Sequence, residues 1–370
     1  MAEGVDRLSL RHPGGTTTVF VGRDAAAAAR PMVGEWLAGR LAFVISSPRV
    51  LELHRAAVEA LAAPAARVKV LTVPDGEEAK SLEHAGRLWC EMLAAGGKRD
   101  SRVIAFGGGS VGDLAGFVAG CFLRGVEYLQ QPTTLLAQVD AALGGKTAID
   151  LGATKNSIGL FHHPALVVSD VDLLATLPRD EVRSALAEVV KTALILDPLL
   201  LERVERDLDR LLDADADALQ PVVLATARAK LRVVERDPRE GDQRRLLNFG
   251  HTLAHAIESV LEYRGLRHGD AVAYGMLFAT RLAEQNGLDA PVAERLRRLL
   301  RRFGLPSLPT LDAEALLEAM GRDKKALENG LVWVLPAAVG EGKMVRGVEP
   351  AEVRQHLEAF LEDPWAAAAG

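Results

Sequence analysis

Three consecutive glycines, Gly107 to Gly109, separate an apolar run at residues 102–106 from an alanine-rich stretch that begins near Ser110. The run before the glycines is typical of a buried strand, and the stretch after them of a helix. Glycine lets a backbone approach a ligand closely, and a helix N-terminus presents free N–H groups to a pyrophosphate. The feature predicts a βα sheet domain with a phosphate cradle. It does not match G-x-G-x-x-G, however, and a tight strand-to-helix turn without a ligand explains it equally well.

Polar side chains are concentrated shortly after this turn. Asp113 follows in the helix, where it either caps the N-terminus or contacts a ribose or nicotinamide. The stretch PTTLLAQVDAALGGKTAIDLGATKN then carries hydroxyls, two lysines and an amide, which suit a phosphorylated ligand. By base rates each lysine is more often a solvated surface residue, but the surrounding glycines and apolar residues favour binding.

The character of the sequence changes at Pro178. Before it, short β-branched runs alternate with helical stretches, and strands are predicted at residues 17–21, 41–45, 68–73, 102–106, 126–130 and 166–169. After it, helices are predicted at residues 181–196, 200–212, 219–235, 252–261, 272–285, 291–303, 313–320 and 350–361, with an apolar run at 331–335. Because 370 residues exceed the usual size of one core, we expect an α/β domain over 1–178 and a mostly helical domain over 179–370.

The composition excludes several classes of function. The formal net charge of −6 provides no basic surface for nucleic acid. Cys90 and Cys121 are too few for a disulfide framework or a thiolate metal cage. The N-terminus lacks the apolar core of a signal peptide, and no segment approaches the roughly 18 unbroken apolar residues of a membrane span. We therefore expect a cytoplasmic protein, bound neither to membrane nor to nucleic acid, whose partner is a small molecule.

Histidines are grouped in two motifs of the helical half. NFGHTLAHAIE places His251 and His255 one helical turn apart, and HGDAVAYGM supplies His268 just before another helix. LAEVVKTALILD adds Glu188 and Lys191 on one helix face, where a buried carboxylate is costly unless it is paired or metal-bound. Two histidines and one carboxylate form the open donor set of a catalytic zinc site. A helical histidine pair without metal explains the spacing equally well, because H-E-x-x-H is absent.

Eight motifs occur in the same order as in 3-dehydroquinate synthases, and the chain resembles that family. They are GGGSVGDLAGF, FLRG, PTTLLAQVDAALGGKT, KNSIG, LATLP, LAEVVK, LLNFGHTLAHAIE and HGDAVAYGM. The resemblance implies a Rossmann-like NAD-binding α/β domain followed by an all-α metal-binding domain. It also implies bound NAD and a divalent metal, with zinc as the expected ion and cobalt as the alternative.

The resemblance implies roles for individual residues. The positions that match the family's metal ligands are Glu188, His251 and His268. Those that match its substrate-binding and catalytic set are Lys146, Asn156, Lys230, Arg244, His255, Asp140, Glu240, Asn248, Lys324 and Arg124, with Lys325 as an alternative to Lys324. Those that match its NAD contacts are Gly107, Gly108, Gly109, Ser110, Asp113, Thr133, Thr134, Lys155, Thr176, Glu77 and Lys80. Ser46 and Ser47 differ from the usual residues at the adenine end.

The implied activity converts 3-deoxy-D-arabino-heptulosonate 7-phosphate to 3-dehydroquinate and phosphate, in the shikimate pathway of aromatic amino acid biosynthesis. The implied steps are transient oxidation by NAD, loss of phosphate, re-reduction and an intramolecular aldol closure. Arg124 resembles an arginine that reaches a neighbouring subunit's phosphate pocket, which implies a homodimer. Two alternatives stay open: a related cyclase acting on an amino analogue or on sedoheptulose 7-phosphate, and a metal-dependent polyol dehydrogenase.

Overall fold

The computed structural model describes residues 4–152, 154–285, 287, 290–324 and 331–367, with the backbone alone at 290 and 322–324. The strands are β1 (Val5–His12), β2 (Gly15–Gly22), β3 (Leu41–Ser46), β4 (Arg67–Thr72), β5 (Arg102–Gly107), β6 (Tyr128–Pro132), β7 (Lys146–Leu151), β8 (Thr154–Phe161), β9 (Leu166–Asp170), β10 (Val332–Ala338) and β11 (Glu341–Arg346). The helices are α1 (Ala25–Leu37), α2 (Pro48–Ala62), α3 (Leu82–Ala94), α4 (Gly109–Cys121), α5 (Arg179–Leu196), α6 (Pro198–Leu212), α7 (Ala216–Arg236), α8 (His251–Val260), α9 (His268–Gln285), α10 (Ala290–Arg302), α11 (Ala313–Lys324) and α12 (Pro350–Glu362).

The chain forms two compact units, and each is built from two segments. The first contains residues 1–178 and 214–239, and the second contains 179–213 and 240–370. Residues 214–239, assigned to the second domain by the sequence analysis, therefore lie with the first. The reason is that helix α7 is bonded to that unit: Arg228 pairs with Asp6 at 2.6 Å, and Lys230 pairs with Asp140 at 2.6 Å.

A seven-stranded sheet forms the centre of the first unit, in the order β1-β2-β9-β6-β5-β3-β4. Strand β1 is antiparallel to β2, and the other neighbours are parallel. Strands β6 and β9 are buried throughout because both faces of the sheet are covered, α3 and α4 on one face and α1 and α2 on the other. The carboxyl ends of parallel strands share one edge, so the glycine turn after β5 lies at the same edge as the residues that follow β6.

The strands that the sequence predicts are present, and others were missed. Strands β2, β3, β4, β5 and β9 match their predicted runs, and β6 lies two residues further along than expected. In the first unit, the missed strands are β1 and the antiparallel pair β7–β8. Most residues of β8 are exposed, so this strand lacks the apolar alternation on which the prediction relies.

The second unit is mostly helical but not wholly so. Helices α5 and α9 are buried along most of their length, and the predicted helices of this half are all found within a few residues of their expected bounds. The apolar run at 331–335 forms part of a hairpin, β10–β11, within this helical unit. The hairpin is held to the helices by Trp333, whose ring lies 5.7 Å from that of Phe278. Among the described residues, no helix has both the length and the apolar character needed to cross a bilayer.

Candidate active site

Three side chains with metal-ligating atoms converge in the second unit. Glu188 lies in the middle of α5, and His251 and His268 are the first residues of α8 and α9. Their ligand atoms lie within 4.8 Å of one another, and Glu188 Oε1 is 3.5 Å from Nε2 of each histidine. A tetrahedral zinc ion with bonds of about 2.1 Å would separate its ligands by roughly 3.4 Å. The three donors therefore suit one ion, with a fourth position left for water or a substrate oxygen.

The second nitrogen of each imidazole has its own acceptor. A proton on Nδ1 of His251 is donated to the main-chain carbonyl of Phe249 at 3.2 Å, and one on Nδ1 of His268 is donated to Glu258 Oε1 at 3.1 Å. These contacts orient both rings so that Nε2 faces Glu188. Metal-ligating histidines are commonly supported in this way by a carbonyl or a carboxylate.

The electrostatics of the group keep Glu188 ionised and His251 neutral. Glu188 is 2% exposed, neither of its oxygens has a well-aligned hydrogen bond, and it forms an ion pair with the equally buried Lys191. Burial acts to raise the pKa of Glu188, but the Lys191 ammonium and the two imidazoles hold it well below its usual range. Burial, with Lys191 adding to the effect, lowers the pKa of His251, so this ring is neutral. Against burial, hydrogen bonds with Glu188 and Glu258 raise the pKa of His268 to about 10.

The start of α9 is anchored on α5, which positions His268 opposite Glu188. The amide of Gly269 donates to Ser184 Oγ at 3.0 Å, and Arg183 donates to both carboxylate oxygens of the buried Asp270 at 3.1 and 3.3 Å. A Cβ on Gly269 would lie only 1.7 Å from the main-chain oxygen of Ser184. Only glycine therefore permits this approach of the two helices.

The sequence predicts five further site residues in the second unit. The ring of His255 lies 5.3 Å from that of His251, so the structure brings it beside the candidate ligands. Asn248 donates to Glu240 at 3.1 Å, and Arg244 is buried in the short helical turn before α8. Lys324 ends α11, but its side chain, and the whole of the alternative Lys325, lie outside the described residues.

The glycine turn of the first unit has the geometry of an anion cradle. Helix α4 begins at Gly109 with Gly108 as its N-cap, and its first turn carries no acidic residue. A Cβ on Gly107 would lie 2.8 Å from Val111, and one on Gly108 would lie 3.1 Å from Thr134. The close packing explains the glycines locally, and the uncapped N–H groups remain available to a phosphate.

Several charged side chains lie close to this turn. Lys80 Nζ lies 2.9 Å from Asp113 and 3.2 Å from Glu77, and Ser110 donates to Glu77 at 3.4 Å. Lys155 Nζ lies 3.8 Å from the same Glu77. Asp113 lies one turn inside α4 and pairs with Lys80, so it does not cap the helix. Burial raises its pKa to about 6, although Lys80 acts in the opposite direction.

The predicted threonine contacts fall into two groups. The amide of Thr133 donates to Gly107 O at 2.9 Å, and Thr134 Oγ1 accepts from the amide of Ala137 at 3.2 Å, so both lie beside the glycine turn. Thr176 ends the helical turn after β9 and contacts His54 Nε2 at 3.0 Å. The structure therefore joins Thr176 to α2, whereas Thr133 and Thr134 belong to the cradle.

The predicted substrate residues of the first unit lie on three elements. Asp140 is in a single π-helical turn, Ala137–Ala141, and receives two hydrogen bonds from Lys230. Lys146 and Asn156 are exposed residues of β7 and β8. Arg124 is exposed in a turn where its φ is 71° and that of Leu123 is 49°, a backbone conformation that is uncommon outside glycine.

The family description "3-dehydroquinate synthase N-terminal" matches residues 70–184, and "3-dehydroquinate synthase C-terminal" matches residues 185–326. The 3-dehydroquinate synthase of Pelobacter propionicus is 44% identical over 308 residues, which are 82% of this chain and 86% of the relative. The chain belongs to the 3-dehydroquinate synthase family.

Solved structures similar to this family member confirm the predicted fold. The 2-epi-5-epi-valiolone synthase of Streptomyces hygroscopicus subsp. jinggangensis 5008, with NAD+ and Zn2+ bound, is 27% identical with a TM-score of 0.85, covering 93% of this chain and 96% of that one. A 2-deoxy-scyllo-inosose synthase complexed with carbaglucose-6-phosphate, NAD+ and Co2+ is 25% identical with a TM-score of 0.86, covering 96% and 99%.

Two residues beside the candidate ligands support them: Glu258 is not among the predicted site residues, and Lys191 was predicted only to share a helix face with Glu188. Lys191 forms the ion pair with Glu188, and Glu258 holds His268. A signal for Glu258 was present, since His251, His255 and Glu258 follow one another at i, i+4 and i+7 and so share one face of α8. The signal for Lys191 was its position one turn after Glu188 on a buried helix face.

Proposed function

We propose that the chain converts 3-deoxy-D-arabino-heptulosonate 7-phosphate to 3-dehydroquinate and phosphate, with NAD and a divalent metal, zinc being the expected ion. The observation that carries the proposal is the convergence of Glu188, His251 and His268 in a chain 44% identical to a 3-dehydroquinate synthase. A scaffold protein without catalysis would have no use for a buried carboxylate that lacks well-aligned hydrogen bonds and faces two oriented imidazoles.

The second unit supplies the metal-binding residues. A divalent ion held by Glu188, His251 and His268 would act as a Lewis acid on hydroxyl and carbonyl oxygens of the substrate. Lys191 keeps Glu188 ionised, and Glu258 keeps Nε2 of His268 directed towards the ion position. His255 lies beside this position, where its ring can hydrogen-bond to a leaving phosphate.

The first unit supplies the nucleotide-binding residues. NAD bound there would take a hydride from the substrate and later return it, so that no net oxidation occurs. The N–H groups at the start of α4 suit the pyrophosphate, and the carboxylate of Glu77 suits ribose hydroxyls. Asp113 and Lys80 are placed on the same side of the turn by their ion pair.

The substrate carries a carboxylate and a phosphate, and the proposed set offers cations for both. Lys146 and Asn156 would hold the phosphate, whereas Lys230 and Arg244 would hold the carboxylate and hydroxyls. The phosphate would leave with the C6 proton, using its own oxygen as the base. The chain then has to orient the phosphate and hold its charge, and no further strong base is needed.

Turnover with substoichiometric cofactor tests the proposal. Purified protein is incubated with the heptulosonate phosphate, zinc and NAD at about one equivalent per site, and both phosphate and 3-dehydroquinate are followed. We expect many turnovers per NAD and equal yields of the two products. Product that stops after one equivalent of NAD would contradict the cyclase and indicate a dehydrogenase, and preference for sedoheptulose 7-phosphate would indicate a related cyclase.

We also propose that the protein is a homodimer in which Arg124 completes the partner's site. The support is the exposed Arg124 on a strained turn, a conformation that folds retain mostly for function. Arg124→Ala and Asn156→Ala should each be inactive, but a mixture refolded together should regain activity, because one site of each mixed dimer is intact. A monomer by sedimentation, or a mixture as inactive as its parts, would refute this.

We also propose that the protein is cytoplasmic. Cys90 and Cys121 are both exposed free thiols, which persist in a reducing compartment. Recovery of the protein outside the cytoplasm after cell fractionation would contradict it.

A further inference from the structure

Lys80 is a buried ammonium with two hydrogen-bond acceptors and a further carboxylate beside it. It follows a short helical turn, Gly76–Ala79, and is 4% exposed. Its Nζ lies 2.9 Å from Asp113 Oδ2 and 3.2 Å from Glu77 Oε1, and it donates a short hydrogen bond to Asn156 Oδ1. The contacts with Asp113 and Asn156 are hydrogen bonds, and the contact with Glu77 is an ion pair.

The contact with Lys80 decides which way the Asn156 amide points. An asparagine amide has an acceptor oxygen and a donor NH2, and an ammonium can bond only to the oxygen. The reversed amide would place NH2 against a cation. The NH2 of Asn156 is therefore directed away from Lys80, and in the described part of the chain it has no protein acceptor. Since Asn156 is exposed, this donor is available to an anion.

The backbone around Asn156 is held by the same lysine. Asn156 has a φ of 52°, which asparagine tolerates better than most residues. Its main-chain N–H donates to Asp150 Oδ1 at 2.7 Å. The amide of Asp150 in turn donates to the main-chain oxygen of Lys80 at 2.8 Å. Main chain and side chain of Lys80 thus fix both the position and the orientation of the Asn156 amide.

We propose that Lys80 is a positioning residue for the phosphate group of the substrate, acting through Asn156 without touching the anion. The inference rests on the proposed function, in which Asn156 holds that phosphate. Lys80 is neutralised by Asp113 and Glu77, so its own charge contributes little attraction to an anion. Its effect on phosphate affinity comes from keeping the Asn156 amide in its donor orientation.

Binding of inorganic phosphate to the full chain, measured by calorimetry without NAD, tests this. Lys80→Met and Asn156→Ala should each weaken phosphate binding about tenfold, the effect of losing one hydrogen bond to a charged group. The double variant should bind no more weakly than either single variant, because both remove the same contact. Lys69→Met, at an exposed lysine of β4 in the same unit, should bind phosphate as the unmodified chain does.

A second variant separates orientation from folding. Asn156→Asp keeps an oxygen for Lys80 but replaces the NH2 with another acceptor, so it should retain the melting temperature and lose phosphate binding. Lys80→Arg should restore part of the affinity that Lys80→Met loses. Additive losses in the double variant, unchanged phosphate binding in Lys80→Met, or no phosphate binding by the unmodified chain would each overturn the inference.

These outcomes are independent of turnover. Absence of 3-dehydroquinate formation would refute the proposed function alone, since phosphate binding is read without substrate or cofactor. Equal loss of phosphate affinity in the two single variants would still support the role of Lys80.

Discussion

Lys230 donates two hydrogen bonds to Asp140, one to the carboxylate Oδ1 at 2.6 Å and one to the main-chain oxygen at 2.7 Å. The lysine is only 6% exposed, and Asp140 lies in the π-helical turn at Ala137–Ala141. π-Helical turns are rare in proteins, and many of those that occur lie at functional sites. The two hydrogen bonds therefore hold a predicted substrate-binding turn against α7.

Lys230→Met should destabilise the protein and impair substrate binding together. Losing two charge-assisted hydrogen bonds at a buried site should lower the free energy of unfolding by about 3 kcal/mol and raise the substrate KM. The matched control is Arg228→Met on the same helix, whose pair with Asp6 is exposed and should be worth less than about 1 kcal/mol. Urea denaturation and steady-state kinetics measure both; equal effects of the two substitutions would contradict the prediction.

His251→Ala should remove one of three candidate metal ligands. We expect zinc affinity to fall at least about a hundredfold and turnover to be lost, because two remaining donors cannot hold the ion in place. Zinc is measured by mass spectrometry after dialysis against a competing chelator. His356→Ala on α12, outside the triad, is the control and should retain both metal and activity. Normal metal content in His251→Ala would mean that the ligand set is wrong.

Gly269→Ala should displace the start of α9. Its Cβ would lie 1.7 Å from the backbone oxygen of Ser184, which cannot move aside as a side chain could. We expect a loss of about 3 kcal/mol or more, with weakened zinc binding because His268 is the preceding residue. Gly86→Ala in α3 is the control: nothing lies within 4 Å of its added Cβ, so it should stabilise the protein by about 0.5–1 kcal/mol. A fully stable, zinc-loaded Gly269→Ala variant would refute this.

Asp113 should make stability depend on pH between about 4 and 6. Burial raises its pKa from 3.8 to about 6, so the folded protein holds this proton more tightly than the unfolded chain does. Ionising Asp113 in the folded protein therefore lowers the free energy of unfolding. The stability that its protonated carboxyl provides is lost as pH rises through about 6. Relative to Asp113→Asn, the unfolding free energy should fall by up to about 3 kcal/mol over that range, less where water reaches the carboxylate. Urea denaturation from pH 4.5 to 7.5 measures the free energy of unfolding of both proteins. The prediction is contradicted if this free energy changes with pH in the same way in both.

Much of the local structure follows from patterns that are short in sequence. The turn at Gly107 to Gly109 was predicted because a strand, three glycines and a helix are contiguous, and His251 and His255 were paired because four residues make about one turn. Strand β8 was missed because most of its side chains are exposed and carry no apolar alternation. The assignment of α7 to the second domain differed from the structure because its partners, Asp6 and Asp140, are far away in the chain.

The sequence by itself determined which residues could ligate a metal, which turn could cradle a phosphate and, through eight ordered motifs, which family the chain belongs to. Only the tertiary structure decided that Glu188 Oε1 lies 3.5 Å from both imidazoles, that Glu258 orients His268 and that Lys80 turns the amide of Asn156. The physical reason is that a helix or a turn is set by neighbours within a few residues. These contacts instead depend on how elements that are far apart in the chain pack together, and local patterns contain no information on that packing.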